Sequence, residues 1–159
     1  MRFNKTFRSL LIILFSALMI SACSTAKKKS GPLENDVYTG TETVEYLANG
    51  VPDRVFFATN KFSLTTAARD TLRKQATWLR KNKKINVTIE GHADERGTRE
   101  YNLALGERRA NAAKDYLMTY GISGKRLSVI SYGKERPVNP ASSPLAWSQN
   151  RRSVTVKAN

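Results

Sequence analysis

From residue 54 onward, the spacing of apolar residues switches repeatedly between the period of a strand and that of a helix. This order restricts the possible folds more than any other feature of the chain. Apolar residues recur every three or four positions over about 65–81 and again over about 98–120, which predicts two amphipathic helices. Short apolar runs, several of them alternating with polar residues, predict four strands, around Val55–Phe57, Ile85–Ile89, Leu127–Ser131 and Val154–Val156. The predicted order is β-α-β-α-β-β, an α+β two-layer sandwich with both helices on one face of the sheet.

The ends of the predicted helices carry recognisable signals. Thr65 or Thr66 can cap the first helix, and Gly121 follows the second helix where a C-terminal glycine is favoured. Pro137–Pro144 is predicted to be a loop because three prolines and several polar residues interrupt any apolar period there. The globular domain is therefore expected to span 53–159.

The first 22 residues have the composition of a secretory signal. Arg2, Lys5 and Arg8 precede an apolar run of 11 residues over 10–20, and small residues follow it. A helix that crosses a bilayer takes about 20 apolar residues, so this run is too short for a transmembrane span. An uncleaved interfacial helix is the alternative; the pattern favours a signal peptide over 1–22.

Cys23 is the only cysteine in the chain, and an unpaired cysteine in an exported protein needs an explanation. The run Ile20-Ser21-Ala22-Cys23 resembles the lipobox of bacterial lipoproteins. That resemblance implies diacylglycerol on the Cys23 thiol, removal of the signal and acylation of the new amino terminus. Several acyl chains give stable membrane attachment. Ser24 is compatible with export to the outer membrane, with the domain facing the periplasm.

The chain carries a net charge of +14, which by itself suggests a nucleic acid, an anionic membrane surface or another acidic polymer as partner. Removing the signal leaves 24 basic and 13 acidic residues, a net charge of +11. Export makes nucleic acid an improbable partner. A polyanion-binding surface lipoprotein remains an alternative function.

Residues 23–52 are expected to form a lipidated amino terminus and a flexible tether, because Gly31-Pro32, Gly40 and Gly50 interrupt them. The segment Thr43–Ala48 is compatible with a short strand or turn. A coil of the 29 residues over 24–52 would extend to at most about 100 Å. Such a reach would let the domain meet the cell wall at a distance from the membrane.

Polar residues concentrate at Glu90–Thr98, where the second strand runs into the second helix. At 100° per residue, Asn102 and Arg109 lie within about 20° of each other, while Arg108 points about 100° further round toward solvent. Arg109 can therefore face the same cleft as Asp94. This pair suits a zwitterion, since a carboxylate can receive an ammonium and a guanidinium can clamp a carboxylate. A salt bridge between Asp94 and Arg109 that only braces the loop is an equal alternative.

The motifs around this junction resemble the OmpA-like domain family, and specifically its peptidoglycan-associated lipoprotein (Pal) branch. The resemblance spans about 54–157 and rests on Gly-His-Ala-Asp-Glu-Arg-Gly-Thr at 91–98, Glu-Tyr-Asn at 100–102, Leu-Gly-Glu-Arg-Arg-Ala-Asn at 105–111, Ser-Tyr-Gly-Lys-Glu at 131–135 and Asn-Arg-Arg at 150–152. It implies a mixed four-stranded sheet of order 1-4-2-3. It also implies non-covalent binding of peptidoglycan through the meso-diaminopimelate of the stem peptide, and no cofactor.

Carried over by motif, Asp94 would accept from the ammonium of diaminopimelate and Arg109 would clamp its carboxylate. Asn102 would support the pocket and Arg151 would close it. A further wall would come from the loop after the first strand, with Phe57 and Asn60 as its contact residues and with Ala58 where many relatives have Asp. Of all the contacts carried over from the family, those from this loop have the least support in the sequence.

The resemblance implies TolB as a partner, within the Tol–Pal system that serves cell division and envelope integrity. A cell-wall hydrolase is the alternative, but no acid pair, metal set or nucleophile motif can be assembled from the sequence. His92, the only histidine, is expected to line the pocket or the core, because a zinc site needs further His or Cys ligands. Trp147 is expected to pack, or to lie at the edge of the cleft. The chain is therefore predicted to be a binding protein and not an enzyme.

Overall fold

The computed structural model describes residues 33–158. The predicted signal peptide, the lipidation site at Cys23 and the first part of the predicted tether lie outside these residues. Within 33–158, no helix combines the length and the apolar character needed to cross a bilayer.

Two short antiparallel hairpins precede the main sheet. Strand β1 (Leu33–Glu34) pairs with β2 (Val37–Tyr38), and β3 (Tyr46–Ala48) pairs with β4 (Val51–Pro52). The expectation of a short strand or turn within 43–48 is confirmed by β3.

The expectation of a flexible tether is wrong for residues 33–52. Val37, Tyr38 and Leu47 are buried, and the Tyr38 ring packs edge-on against Phe56 with 4.8 Å between centroids. Burying such side chains stabilises the packed state by roughly 1.5–3 kcal/mol each, enough to hold a short hairpin in place. The turn-forming residues of this segment connect packed strands. The same residue types also occur in flexible linkers, so the sequence alone does not distinguish a packed hairpin from a linker.

The main sheet contains β5 (Arg54–Phe56), β6 (Val87–His92), β7 (Leu127–Gly133) and β8 (Arg152–Lys157). Its order is β5-β8-β6-β7, which confirms the order 1-4-2-3 implied by the family resemblance. Strands β6 and β7 are parallel, whereas β8 runs antiparallel to both β5 and β6. The carboxyl end of β6 and the amino end of β8 therefore lie at the same edge of the sheet.

Both long helices match their sequence expectation to within a residue. Helix α1 (Thr66–Lys81) is capped by Thr65, and α2 (Arg99–Thr119) is capped by Thr98; each threonine oxygen accepts a hydrogen bond from the backbone three residues on. Their apolar stripes meet the sheet in one core, whose most buried members include Phe57, Leu72, Leu79, Val87, Ile89, Leu117 and Leu127. The predicted two-layer α+β architecture is confirmed.

The sequence does not predict helix α3 (Pro144–Asn150), which begins where the predicted loop was expected to end. Ser143 caps it and Pro144 occupies its first turn, a favoured place for proline. Seven residues are too few to show a helical period in the sequence. A single 3₁₀ turn, Gly124–Arg126, leads into β7.

Helix α2 lies against β6 with almost no space between the two backbones. A methyl group on Gly91 would come within 1.8 Å of the Gly106 carbonyl oxygen, far inside any tolerated contact. Only glycine at position 91 permits this approach, which sets the distance between Asp94, just after β6, and the side chains of α2.

We expect Gly91→Ala to lower the free energy of unfolding by about 3 kcal/mol or more, because the methyl group meets a backbone atom that cannot move aside. Gly124→Ala is the matched control, since its methyl group would lie 3.3 Å from the flexible end of Met118 and should change stability little. Urea unfolding followed by circular dichroism measures both. Equal transition midpoints for Gly91→Ala and the wild type would contradict this account of the packing.

Candidate functional site

Asp94 lies immediately beyond the carboxyl end of β6 and is almost completely buried. The Arg96 side chain donates to both of its oxygens, from Nη2 at 2.7 Å and from Nε at 3.1 Å, and Arg151 Nη1 lies 3.3 Å away. Burial raises the pKa of Asp94, but the hydrogen bonds from the Arg96 side chain and backbone outweigh it and lower that pKa below its usual value. Asp94 is therefore a carboxylate at neutral pH.

Arg109, on α2, is fully buried and oriented by backbone carbonyls. Its Nε donates to Lys61 O at 2.9 Å, Nη1 to His92 O at 2.8 Å and Nη2 to Ala58 O at 3.1 Å. These bonds use three of its five N–H groups; within residues 33–158 the other two, one on each terminal nitrogen, donate to no acceptor. Burial, and then the charge of Arg151, lower the pKa of Arg109 to about 10, so it stays cationic at neutral pH.

Asp94 and Arg109 do not pair with each other. Among the described residues, Asp94 forms ion pairs with Arg96 and Arg151, whereas Arg109 contacts only carbonyl oxygens and the Phe57 ring. The alternative of a bracing Asp94–Arg109 salt bridge is therefore wrong. Arg108 is exposed and lies over the Phe62 ring, which confirms the predicted difference between the two neighbouring arginines.

Arg151 follows α3 and is almost inaccessible to solvent. Its Nε donates to Phe57 O at 3.0 Å, Nη1 faces Asp94, and Nη2 donates to Asp36 Oδ1 at 2.9 Å and to the Asp36 carbonyl. One guanidinium thus joins the end of β5, the site carboxylate and the turn of the first hairpin.

The remaining predicted site residues take different places. Asn102 is buried, and its Nδ2 donates to Arg96 O at 2.8 Å, so it supports the loop that carries Asp94. Phe57 belongs to the core, and only its backbone faces Arg151. Asn60 is exposed and has a φ of 55°. The structure therefore gathers Asp94, Arg109 and Arg151 in one buried charged cleft, with Asn102 supporting its loop. The Phe57 ring packs in the core beneath Arg109, 5.3 Å from its guanidinium carbon, and the Asn60 side chain is exposed.

The cleft is completed by three residues that were not predicted as contact residues: Asp36, Thr59 and Arg96. Of these, Thr59 lies in the loop at 57–60 that was expected to form a wall of the pocket. Thr59 donates to Asp36 Oδ2 from its backbone nitrogen at 2.9 Å and from its hydroxyl. Arg96 Nη2 reaches the Thr59 hydroxyl at 3.3 Å, which closes a ring of contacts back to Asp94. The two acids come from segments far apart in the chain, so no local pattern could have joined them.

Trp147 borders the cleft on the side of Arg96. The Arg96 guanidinium stacks over the Trp147 ring at 4.3 Å, and Trp147 Nε1 donates to Glu95 Oε1 at 2.7 Å. Trp147 was expected either to pack or to lie at the edge of the cleft. The structure supports the position at the edge. Arg96 keeps 42 % of its side chain exposed, so it forms the outer cover of the cleft.

The His92 backbone carbonyl accepts from Arg109, but the His92 side chain takes no part in the cleft. It is buried, and neither ring nitrogen has a hydrogen-bond partner in the described part of the chain. Burial, and then the charges of Arg152, Arg54 and Arg136, lower its pKa to about 3, although Glu90 Oε2 lies 3.5 Å from Nε2. Within 33–158, no three His, Cys, Asp or Glu side chains are grouped as metal ligands.

The OmpA family model matches residues 56–151. The peptidoglycan-associated lipoprotein of Mesorhizobium japonicum is 44 % identical over 150 residues, which cover 92 % of this chain and 89 % of that protein. That of Rhizobium meliloti is 58 % identical over 106 residues, 67 % of this chain and 60 % of that protein. The crystal structure of the peptidoglycan-associated lipoprotein from Burkholderia pseudomallei is 35 % identical, with a TM-score of 0.65 over 67 % of this chain and 90 % of that one.

We expect the neutral state of His92 to make the domain less stable in acid. Its folded pKa of about 3 lies below the ordinary value of 6.5, so protons bind preferentially to the unfolded chain as the pH falls below 6.5. Between pH 7 and pH 5 the free energy of unfolding should fall by up to about 2 kcal/mol. Urea titrations at both pH values measure it.

As the only histidine, His92 gives one set of imidazole NMR signals, which should not titrate between pH 8 and pH 5. His92→Phe should show a smaller fall in stability over the same range. A signal that titrates near pH 6.5 would show that the imidazole is accessible and the explanation wrong.

Proposed function

Because the chain belongs to the OmpA family, and within it to the peptidoglycan-associated lipoproteins, we propose that it binds peptidoglycan non-covalently. Through a lipid on Cys23 it holds the outer membrane to the cell wall, with the domain in the periplasm. It acts by binding and carries out no reaction. Its ligand is the free amino-acid end of meso-diaminopimelate in the peptidoglycan stem peptide.

The observation that supports this ligand best is the separation of Asp94 from Arg109. Both are charged at neutral pH, both belong to one cleft, and neither neutralises the other. The head group of diaminopimelate carries an ammonium and a carboxylate on one carbon. In the proposed complex, Asp94 accepts from the ammonium, and the two remaining N–H groups of Arg109 donate to the carboxylate as a two-pronged clamp.

Entry of this ligand requires the outer cover of the cleft to move. Arg96 is the exposed member of the cover and rests on Asp94, Thr59 and the Trp147 ring. Because Asp94 is buried, removing Arg96 without a replacement would leave a poorly compensated carboxylate and would cost more than breaking a surface ion pair. The ammonium of the ligand then replaces the Arg96 guanidinium at Asp94, so the carboxylate keeps a cationic partner.

We extend the proposal to the partner TolB and to a role in the Tol–Pal system during cell division, on the strength of the similarity to the Pal branch. The strongly basic chain also suits a polyanionic wall, because long-range attraction raises the rate of encounter. Specific recognition still depends on the cleft, since surface charge does not distinguish one acidic polymer from another.

We expect Asp94→Asn and Arg109→Lys each to reduce binding to purified sacculi by at least about tenfold. Each substitution keeps a polar group of similar size but removes the charge of Asp94 or the two-pronged geometry of Arg109; disrupting one side of such a buried contact typically costs about 2–5 kcal/mol. Arg108→Ala is the matched control on the same helix, because its side chain is exposed. Co-sedimentation with sacculi, competed with free meso-diaminopimelate, measures the effect.

Arg109 also holds three loop carbonyls, so each variant must first be shown to be folded by circular dichroism and thermal unfolding. Lysine is preferred to alanine at position 109 for this reason. Wild-type binding that free diaminopimelate does not reduce, or equal losses for Arg108→Ala and Arg109→Lys, would contradict the proposed ligand site.

A further inference from the structure

The turn of the first hairpin reaches into the cleft from outside the segment that the family model matches. Asn35 and Asp36 connect β1 to β2 as a two-residue turn, with φ values of 49° and 65°. Such a turn requires positive φ at both positions, and Asn and Asp are the non-glycine residues that accept it most readily. The next two residues, Val37 and Tyr38, are buried against the domain, so the turn is held over the cleft.

Asp36 uses its backbone and its carboxylate to contact the cleft. Its carbonyl and Oδ1 accept from Arg151 Nη2, and its Oδ2 accepts from the backbone nitrogen and hydroxyl of Thr59. Burial raises the pKa of Asp36, but hydrogen bonds from Thr59 and the charge of Arg151 outweigh it and keep the pKa below its usual value. About half of the side chain remains exposed at the mouth of the cleft.

The Arg96 guanidinium already links Asp94 to Asp36, to the first acid directly and to the second through the Thr59 hydroxyl. Arg96 Nη2 is 2.7 Å from Asp94 Oδ2 and 3.3 Å from the Thr59 hydroxyl, which in turn donates to Asp36. The loop residue next to Thr59, Ala58, offers no acceptor in its side chain. The second acidic side chain at the opening of the cleft therefore comes from the first hairpin.

We propose that Asp36 is the second acidic wall of the ammonium subsite and that the ligand's ammonium takes the place between Asp94 and Asp36 that Arg96 fills. This inference rests on the proposed function and adds a specificity-determining residue to it. When Arg96 moves out, Arg109 and Arg151 remain opposite Asp94 and Asp36. Two cations then face two anions, a balance that suits a zwitterionic head group.

Without Asp36 the same cleft carries one excess positive charge. Such a cleft favours any carboxylate, with or without an amine beside it, because the added attraction acts on the anionic group alone. Asp36 therefore determines selectivity for the amine more than total affinity. A residue that only braced the Thr59 loop would affect ligands with and without an amine equally.

The experiment compares two competitors of sacculus binding: meso-diaminopimelate, and pimelate, the same dicarboxylate without amines. The mature lipoprotein is used at full length in detergent, as the wild type, as Asp36→Asn and as Asp115→Asn. Asp115 is exposed on α2, so its substitution makes the same change of net charge away from the cleft. Asparagine tolerates the φ of position 36, which preserves the turn.

For Asp36→Asn we expect the half-inhibiting concentration of diaminopimelate to rise about fivefold or more, while that of pimelate stays the same or falls. The ratio of the two should stay at the wild-type value in Asp115→Asn. An unchanged ratio in Asp36→Asn, or equal weakening of both competitors, would overturn the inference and leave Asp36 as a brace. Tighter binding of diaminopimelate to Asp36→Asn would also overturn it, because Asp36 would then compete with the ligand for the arginines of the cleft.

Arg96→Ala provides a second test that leaves the hairpin intact. Removing the internal cation should lower the half-inhibiting concentration of diaminopimelate, and weaker diaminopimelate binding would overturn the proposed exchange. Failure of the proposed function has a different signature: wild-type protein would not sediment with sacculi, or free diaminopimelate would not release it.

Discussion

Two buried guanidinium groups hold together the edge of the sheet on which the cleft depends. Arg109 binds the carbonyls of Ala58, Lys61 and His92, and Arg151 binds Phe57 O, Asp94 and Asp36. A buried cation without partners is strongly destabilising, so each arginine requires these loops to close around it. The loop after β5, the end of β6 and the first hairpin are thereby fixed relative to one another.

The same bonds leave the cleft charged. Carbonyl oxygens orient Arg109 without neutralising it, so the positive charge remains available to a ligand, and the arginines around Asp94 keep that residue ionised. Had Asp94 and Arg109 paired directly, the fold would have gained a closed salt bridge and lost the arrangement that we propose as a receptor for a zwitterion. In that proposal stability and binding use the same groups, so substitutions of Arg109 affect both.

Much of the fold follows from local periodicity. Helices α1 and α2 were predicted to within a residue, because their apolar stripes are long and a threonine precedes each. The position of Arg109 over the cleft and the exposure of Arg108 follow from 100° per residue. The strand order came from the family resemblance, since apolar spacing alone does not determine which strands pair.

The parts that sequence reasoning missed depend on contacts between distant segments. Asp36 meets Arg151 across 115 positions, and no pattern around residue 36 signals that contact. The Phe57 side chain, expected at the wall of the site, follows β5 and packs in the core, where its ring lies 5.3 Å from the Arg109 guanidinium carbon. The packed hairpins also change the expected reach of the domain: only ten positions separate Cys23 from Leu33, at most about 35 Å of extended chain. If Cys23 is lipidated as proposed, the docked hairpin keeps the cleft near the membrane anchor, and the proposed binding of the wall then requires a much closer approach to the membrane than a tether of about 100 Å would.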